Sequence, residues 1–307
     1  MPRPDAFHPD LATARWLPRI SAGPRTLRFF RGNPRGIEST ADVRVETVPV
    51  AGAEGDRPYR VLRPVDAPER TAALLWIHGG GLIIGAPQQD DGTNLEFVRT
   101  LGITVFAASY RLAPEHPAPA ALDDLVAGYR AIVERADEFG IDPTRIAIGG
   151  ASAGGGLAAS LAQRLHDEGG QQPVFQLLMF PMLDDRTILR DDIDPRYVRV
   201  WTPSSNRFAW TSYLGPDAGG PGIPSDYVPA RRDDLSGLPP AWIGVGTLDL
   251  FHDEDVAYAE RLEEAGVPCD LTIVPGAFHG FNAIYRKAPV TLAFHAEVAR
   301  VLGDALV

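Results

Sequence analysis

The sequence predicts an α/β fold, with a mostly parallel central sheet and helices on both faces. Three observations lead there. Short continuous apolar runs, such as "AALLWIH", "ITVFAASY" and "AWIGVG", recur along the chain, as strands covered on both faces require. Segments with helically spaced apolar residues separate them. Two earlier runs alternate instead, as half-exposed antiparallel strands do. Together these describe two helical layers over one sheet.

In order along the chain, "VRVETVPV" (43–50) and "YRVLRP" (59–64) are the alternating pair, and "AALLWIH" (72–78) is the first buried strand. A polar, helix-compatible stretch covers Asn94 to Leu101, and "ITVFAASY" (103–110) is the next buried strand. "ALDDLVAGYRAIVERADEFG" (121–140) has helical spacing and ends at Gly140, a suitable C-cap. "RIAIGG" (145–150) is a strand, and "GGGLAASLAQRLHDEGG" (154–170) a helix. "VFQLLMF" (174–180) and "AWIGVG" (241–246) are strands, "DEDVAYAERLEEAG" (253–266) a helix, "CDLTIVPG" (269–276) the last strand and "VTLAFHAEVARVLGDAL" (290–306) a closing helix. Between Pro181 and Pro240 the rhythm stops: no buried strand is visible, and Tyr197, Trp201, Phe208, Trp210 and Tyr213 fall there. An insertion of that length, that rich in aromatics, reads as a lid or binding element.

Composition narrows the function. The 307-residue chain is 45% hydrophobic, enough for one large core. A net charge of −11 repels phosphate backbones and argues against nucleic-acid binding. Cys269 is the only cysteine, so no intramolecular disulfide forms, which suits a cytoplasmic protein. It reads as a small hydrophobe entering a strand. The N-terminal region lacks the apolar core of a signal peptide. Its arginines (Arg3, Arg15, Arg19, Arg25, Arg28, Arg31 and Arg35) suggest a transit peptide, but Asp5 and Asp10 argue for a solvated or covering segment. The most apolar stretch, "AALLWIHGGGLIIGA", is too short and too interrupted by glycine to span a bilayer. The acidic, moderately polar composition also offers no evident lipid-docking patch.

The chemistry concentrates in "IAIGGASAGGGLA" (146–158). Glycine inside secondary structure costs stability, so this crowd marks a sharp turn or a close approach. Gly150, Ser152 and Gly154 form G-x-S-x-G between a strand and a helix, the context in which that pattern makes a nucleophile elbow. A serine hydroxyl there needs a base, an acid to orient the base, and donors for an oxyanion. The donors fall in "HGGG" (78–81), whose glycines let the backbone curl inward, and in the N–H of Ala153 at the helix start. His78 precedes the elbow and suits holding that loop. Of seven histidines, His8 is N-terminal, His116 lies in a proline-locked turn, His166 and His295 sit on helices, and His252 comes early in another loop. His279, in "VPGAFHGF" after the last strand, is left as the base. Its acid should follow the preceding strand. Asp249 follows "WIGVGTL" with no intervening turn, whereas Asp253 starts a helix, where the dipole favours an acid anyway. Asp184 and Asp185 are outside candidates.

At this point the chain resembles the hormone-sensitive-lipase-like carboxylesterases of the α/β-hydrolase superfamily. The resemblance spans about residues 72 to 305 and rests on ordered blocks: "HGGG" (78–81), "YRLAPEHPAPAALDD" (110–124), "DPTRIAIGGASAGG" (142–155), "DLFHDE" (249–254) and "HGF" (279–281). It implies an α/β-hydrolase fold with Ser152 as nucleophile, His279 as base, Asp249 as acid, and the N–H groups of Gly80, Gly81 and Ala153 as oxyanion hole. It also implies a cap, matching residues 1–42 and about 184–230, with residues 43–307 as the catalytic domain. Two positions depart from the family pattern. Ala151 stands where G-D-S-A-G has its acid, and Leu250-Phe251 where D-P-L has its last two residues.

The expected function is hydrolysis of short- to medium-chain carboxylic esters through an acyl-enzyme, with a small-molecule ester as partner and neither metal nor organic cofactor. Amide or lactone hydrolysis by the same residues, and a non-catalytic small-molecule receptor on the same fold, are the alternatives. "CDLTIVP" is expected at a sheet edge, which can pair with a second copy to give a homodimer.

Overall fold

A computed structural model describes residues 6–32 and 35–306; Arg3 and Asp5 lie outside them. The buried apolar runs become strands because they can be covered on both faces, and within the described residues eight strands form one sheet in the order β1-β2-β4-β3-β5-β6-β7-β8. The alternating runs are β1 (Val43–Val50) and β2 (Arg57–Pro64), paired antiparallel. β2 also lies antiparallel to β4 (Thr104–Ala108). From there β3 (Thr71–Ile77), β5 (Ile141–Ala151), β6 (Gln176–Met179), β7 (Ala241–Gly246) and β8 (Cys269–Val274) run parallel. β8 is one edge strand, β1 the other, and Cys269 is buried at the start of β8.

The helices are α1 (Leu27–Phe30), α2 (Asp91–Leu101), α3 (Ala120–Glu134), α4 (Ala136–Phe139), α5 (Ala153–Glu168), α6 (Pro203–Leu214), α7 (His252–Glu264), α8 (Phe281–Ile284) and α9 (Pro289–Leu306). The single helix expected over 121–140 is two, because Arg135 leaves helical geometry at ψ 18°; Gly140 ends the second at φ 63°. β3 is buried at every residue, so cutting back a leucine there should cost about 2–5 kcal/mol. Two apolar clusters sandwich the sheet, one with Leu75 and Ile148 pointing into it, the other with Trp76 and Trp242. No helix of the described residues is long and apolar enough to cross a membrane.

Register decides where the loops meet. Ile77 pairs with Gly150, Ala151 with Met179, Met179 with Gly244, and Gly246 with Val274. The carboxyl ends of these strands are therefore level, and the segments after them gather at one edge of the sheet, where ligands of open α/β sheets bind.

The N-terminal segment and the insertion lie against each other. Ser21 and Thr202 share a hydroxyl–hydroxyl hydrogen bond of 2.8 Å, and the Ala22 N–H donates to Ser205 Oγ at 2.8 Å. The Arg199 guanidinium donates to the Ala14 carbonyl at 2.7 Å and lies 5.0 Å from the centre of the Phe7 ring.

Candidate active site

β5 runs straight into α5, and Ser152 is the residue between them. Its backbone is at φ 58°, ψ −123°, a conformation costing a non-glycine residue about 1–3 kcal/mol. Packing enforces it. A Cβ on Gly154 would stand 2.0 Å from the Ile77 carbonyl oxygen, and one on Gly150 would stand 2.4 Å from the same atom. Strand, turn and helix are thus closer than any side chain allows, which accounts for the glycines around this serine. The Ser152 N–H donates to the Met179 carbonyl at 2.9 Å, so the turn is anchored to the neighbouring strand.

Ser152 Oγ lies 2.9 Å from His279 Nε2. On the other side of the ring, His279 Nδ1 lies 2.9 Å from Asp249 Oδ2 and 3.0 Å from Oδ1. A carboxylate there holds the proton on Nδ1 and leaves Nε2 free to accept from the serine. All three residues are buried. Phe180 and Phe251 meet the imidazole edge-on, with ring centroids 5.0 and 5.1 Å away, and restrict its rotation. Asp249 also accepts the Phe251 N–H at 2.9 Å.

One detail differs from the sequence reading. Asp249 does not continue a strand: β7 ends at Gly246, and the Asp249 N–H closes a turn onto the Gly246 carbonyl at 3.1 Å. The loop after β8 anchors the turn: the Ala277 carbonyl accepts the Leu248 N–H at 2.9 Å and stands 2.2 Å from where a Gly246 Cβ would be, so no side chain fits there. The other acids are engaged elsewhere. Asp253 pairs with Arg190 at 2.6 Å and His252 at 2.7 Å. Asp184 pairs with Arg186 at 2.7 Å and Asp185 with Arg231 at 2.6 Å.

Gly80 and Gly81 follow β3 at φ 122° and 59°, and a Gly80 Cβ would meet the Ile84 carbonyl oxygen at 2.1 Å. That curl brings Gly79 and Gly80 onto the wall of the cavity holding Ser152. His78 Nδ1 lies 2.8 Å from the Gly79 carbonyl oxygen, and the Tyr110 hydroxyl donates to the His78 carbonyl at 2.8 Å. Burial pushes His78 down to about 4, so it is neutral at pH 7. Ala153 opens α5, and the N–H groups of a helix's first turn have no partner within the helix.

The cavity has a volume of about 540 Å³, the size of a small-molecule site. Ile20, Ala22 and Phe30 of the N-terminal segment and Val200 and Trp201 of the insertion line it. Ile20, Val200, Ile284 and Leu292 line it while remaining exposed, beside the exposed charged side chains of Glu96 and Arg286, so its mouth carries an apolar patch that composition did not reveal. Sequence reading also missed Asp90 and Asn282 on the wall. Asp90 precedes a helix, where an aspartate ordinarily signals only a cap, and nothing in the order of residues separates Asn282 from other polar residues.

Residues 74–283 match the model of the alpha/beta hydrolase fold family. The chain is 34% identical over 245 residues to esterase LipI of Mycobacterium tuberculosis, covering 78% of this chain and 75% of that one. To the ethyl acetate hydrolase of Pseudomonas putida it is 33% identical, covering 73% and 71%. Among solved structures, the bacterial heroin esterase superposes with a TM-score of 0.90 at 33% identity, covering 98% of each chain.

Proposed function

The chain belongs to the alpha/beta hydrolase fold family, in its hormone-sensitive-lipase-like branch, and on that premise we propose that it is a serine carboxylesterase working through Ser152, His279 and Asp249. One observation carries the reading: the unbroken hydrogen-bonded line from Ser152 Oγ through the imidazole to the Asp249 carboxylate.

Ser152 Oγ attacks the ester carbonyl as its proton passes to His279 Nε2. Asp249 holds the tautomer and stabilises the imidazolium. The N–H groups of Gly80, Gly81 and Ala153 receive the oxyanion, with the α5 dipole aimed at it. His279 then protonates the departing alcohol, and water repeats the sequence on the acyl-enzyme. The N-terminal segment and the insertion act as a cap, and the cavity they close favours short to medium acyl chains. The open edge of β8 is the surface on which a second copy would pair, which sedimentation at increasing concentration measures.

The test is a p-nitrophenyl ester mixed with a known molar amount of enzyme. A burst of one p-nitrophenol per chain is expected, and a phosphonate ester should add one adduct mass, on the peptide containing Ser152. Ser152→Ala should lose burst, adduct and all but about a thousandth of kcat while keeping its circular dichroism. An adduct on another residue, or a Ser152→Ala variant that still turns over at a few per cent, overturns the reading.

A further inference from the structure

The N-terminal segment carries a charge opposite to that of the rest of the chain, and the proposed ester chemistry makes no use of it. Residues 1–35 hold seven arginines against two aspartates, a net side-chain charge of +5 on a chain whose total is −11, so the remainder stands at −16. Summed over the whole composition, the basic face disappears. Arg15, Arg19, Arg25 and Arg28 are exposed, and among the described residues none of the four is in an ion pair. Arg31, by contrast, is paired with Glu115 at 2.6 Å. Three of the four stand directly before an exposed apolar side chain: Arg15 before Trp16, Arg19 before Ile20 and Arg28 before Phe29. Trp16 is 77% and Phe29 85% exposed. A single apolar residue in water needs no explanation. Cations interleaved with exposed aromatic and aliphatic side chains are the composition of segments that lie in a lipid interface.

The same side chains adjoin the mouth of the cavity. Ile20 lines it, together with the exposed Val200, Ile284 and Leu292. The Phe29 ring meets the Phe30 ring at a centroid distance of 5.7 Å, and Phe30 lines the cavity. Trp16 follows Arg15, whose carbonyl accepts from the Arg199 guanidinium at 3.2 Å, next to Val200. The Thr13 and Tyr285 hydroxyls share a hydrogen bond of 2.8 Å, next to Ile284. Glu96 is exposed on the cavity wall; Arg286 is exposed there too, with Lys287 exposed beside it.

We propose that this basic, apolar face docks on an anionic lipid surface, with the mouth of the cavity opening onto the lipid. Each feature has its counterpart there: the arginines meet phosphates at headgroup level, and Trp16, Ile20 and Phe29 enter the boundary with the acyl chains. Acids on the far side of the molecule do not oppose this, because charges more than about 8 Å apart are largely screened at physiological salt. A second copy seated on the face would cover the mouth. A single-stranded nucleic acid could stack bases on Trp16 and Phe29 but would leave Ile20, Val200, Ile284 and Leu292 in water, whereas acyl chains cover them. The docking surface does not depend on the ester-hydrolase reading. Where that reading holds, esters dissolved in the lipid reach Ser152 without crossing water.

The test sediments the full chain with vesicles of phosphatidylcholine alone and of equal parts phosphatidylcholine and phosphatidylglycerol. Wild type should bind the anionic vesicles at least about tenfold more tightly, and should be released from them as salt rises from about 0.05 to 0.5 M; this arm needs no variant. Arg25→Gln with Arg28→Gln should weaken that binding about fivefold for each arginine removed. Arg70→Gln with Arg130→Gln removes the same charge from exposed positions elsewhere and should leave it within about twofold. Fluorescence reports insertion, because Trp16 alone of the five tryptophans is exposed: anionic vesicles should shift the emission to the blue, and Trp16→Phe should abolish the shift. Equal binding to both vesicles, or to neither, overturns the proposal, as do equal losses in the two double variants or a blue shift that survives Trp16→Phe. Self-association abolished by Arg25→Gln with Arg28→Gln, in place of vesicle binding, overturns it in favour of a second copy. Binding is read without turnover, so any of these failures leaves the ester-hydrolase reading standing, and a missing p-nitrophenol burst leaves the docking surface standing.

Discussion

Along the carboxyl edge of the sheet, side-chain positions are dictated by main chain. Ser152 sits where β5 meets α5 with a carbonyl 2.0 Å from a missing Cβ, and Asp249 closes a turn beneath the Ala277 carbonyl. Over the same cavity, the N-terminal segment and the insertion are joined by side chains instead: Ser21 to Thr202, Ala22 to Ser205, Arg199 to Ala14. Each such bond is worth about 0.5–1.5 kcal/mol, whereas the floor could move only by breaking strand pairing. A floor that cannot shift suits bond-making geometry, and, on the proposed reading of these two segments as a cap, a roof held by replaceable contacts suits the choice of substrate. Changes to the floor should therefore act on kcat or on the whole fold, and changes to the roof on KM and chain preference.

The sharpest way to break that contrast lies in two aspartates four residues apart. Asp249→Asn should lower kcat by about 10³–10⁴, because an amide no longer selects the productive tautomer of His279. Asp253→Asn should cost only a few-fold, since that carboxylate serves Arg190 and His252. Both would be assayed at saturating ester after circular dichroism. A crippled Asp253→Asn beside a near-normal Asp249→Asn would reverse the assignment.

A stability effect of intermediate size sits behind the same floor. Asp255 is fully buried, and among the described residues neither carboxyl oxygen has a hydrogen-bond partner. Burial first, then the neighbouring Glu254 and Asp249, push its carboxyl well above the usual range. Glu254 is raised in the same sense, mainly by burial. An unfolded aspartate ionises above about pH 4. Between there and its raised folded value, Asp255 keeps a proton that the unfolded chain has released. Its contribution is full below the unfolded value and is lost as pH rises, at up to about 1.4 kcal/mol per pH unit. Urea unfolding at pH 5, 6 and 7 should show Asp255→Asn gaining on wild type as pH increases. Parallel pH dependences would mean that Asp255 is ionised in the fold.

The roof carries the smallest expected effect. The Trp201 ring presses on Gly81, reaching within 2.1 Å of where a Cβ would be, and it lines the cavity. On a series of p-nitrophenyl esters, kcat/KM should peak at short to medium chains. Trp201→Ala should move the peak to longer ones, each newly buried methylene contributing up to about 0.8 kcal/mol. A wild-type profile that climbs steadily to palmitate would show that the exposed apolar rim of Ile20, Val200, Ile284 and Leu292 takes up the chain, and that the cap does not limit it.

The sheet and its loops were legible in the sequence because each signal there is local. Strand-length apolar runs, the spacing of helical residues and the glycines around Ser152 report on main chain that neighbouring residues determine. Hence Ser152, His279 and Asp249 could be singled out by where they fall after strands, and the structure brings all three within hydrogen-bonding distance. The turn at Gly246 was not legible, because the Ala277 carbonyl that anchors it through the Leu248 N–H lies 31 residues after Gly246. The same holds for the apolar rim, for the seam between residues near 20 and near 202, and for Asp90 and Asn282 on one wall. Those depend on side chains meeting across distant segments, where an aspartate before a helix or an asparagine after a histidine carries no sign of what it will face. Local propensity and pattern determined the fold and the line of candidate catalytic groups. Only tertiary packing decided which polar side chains line the cavity and which buried polar atoms are left unpaired, because whether a donor or acceptor is satisfied is a property of its surroundings and not of its neighbours in the chain.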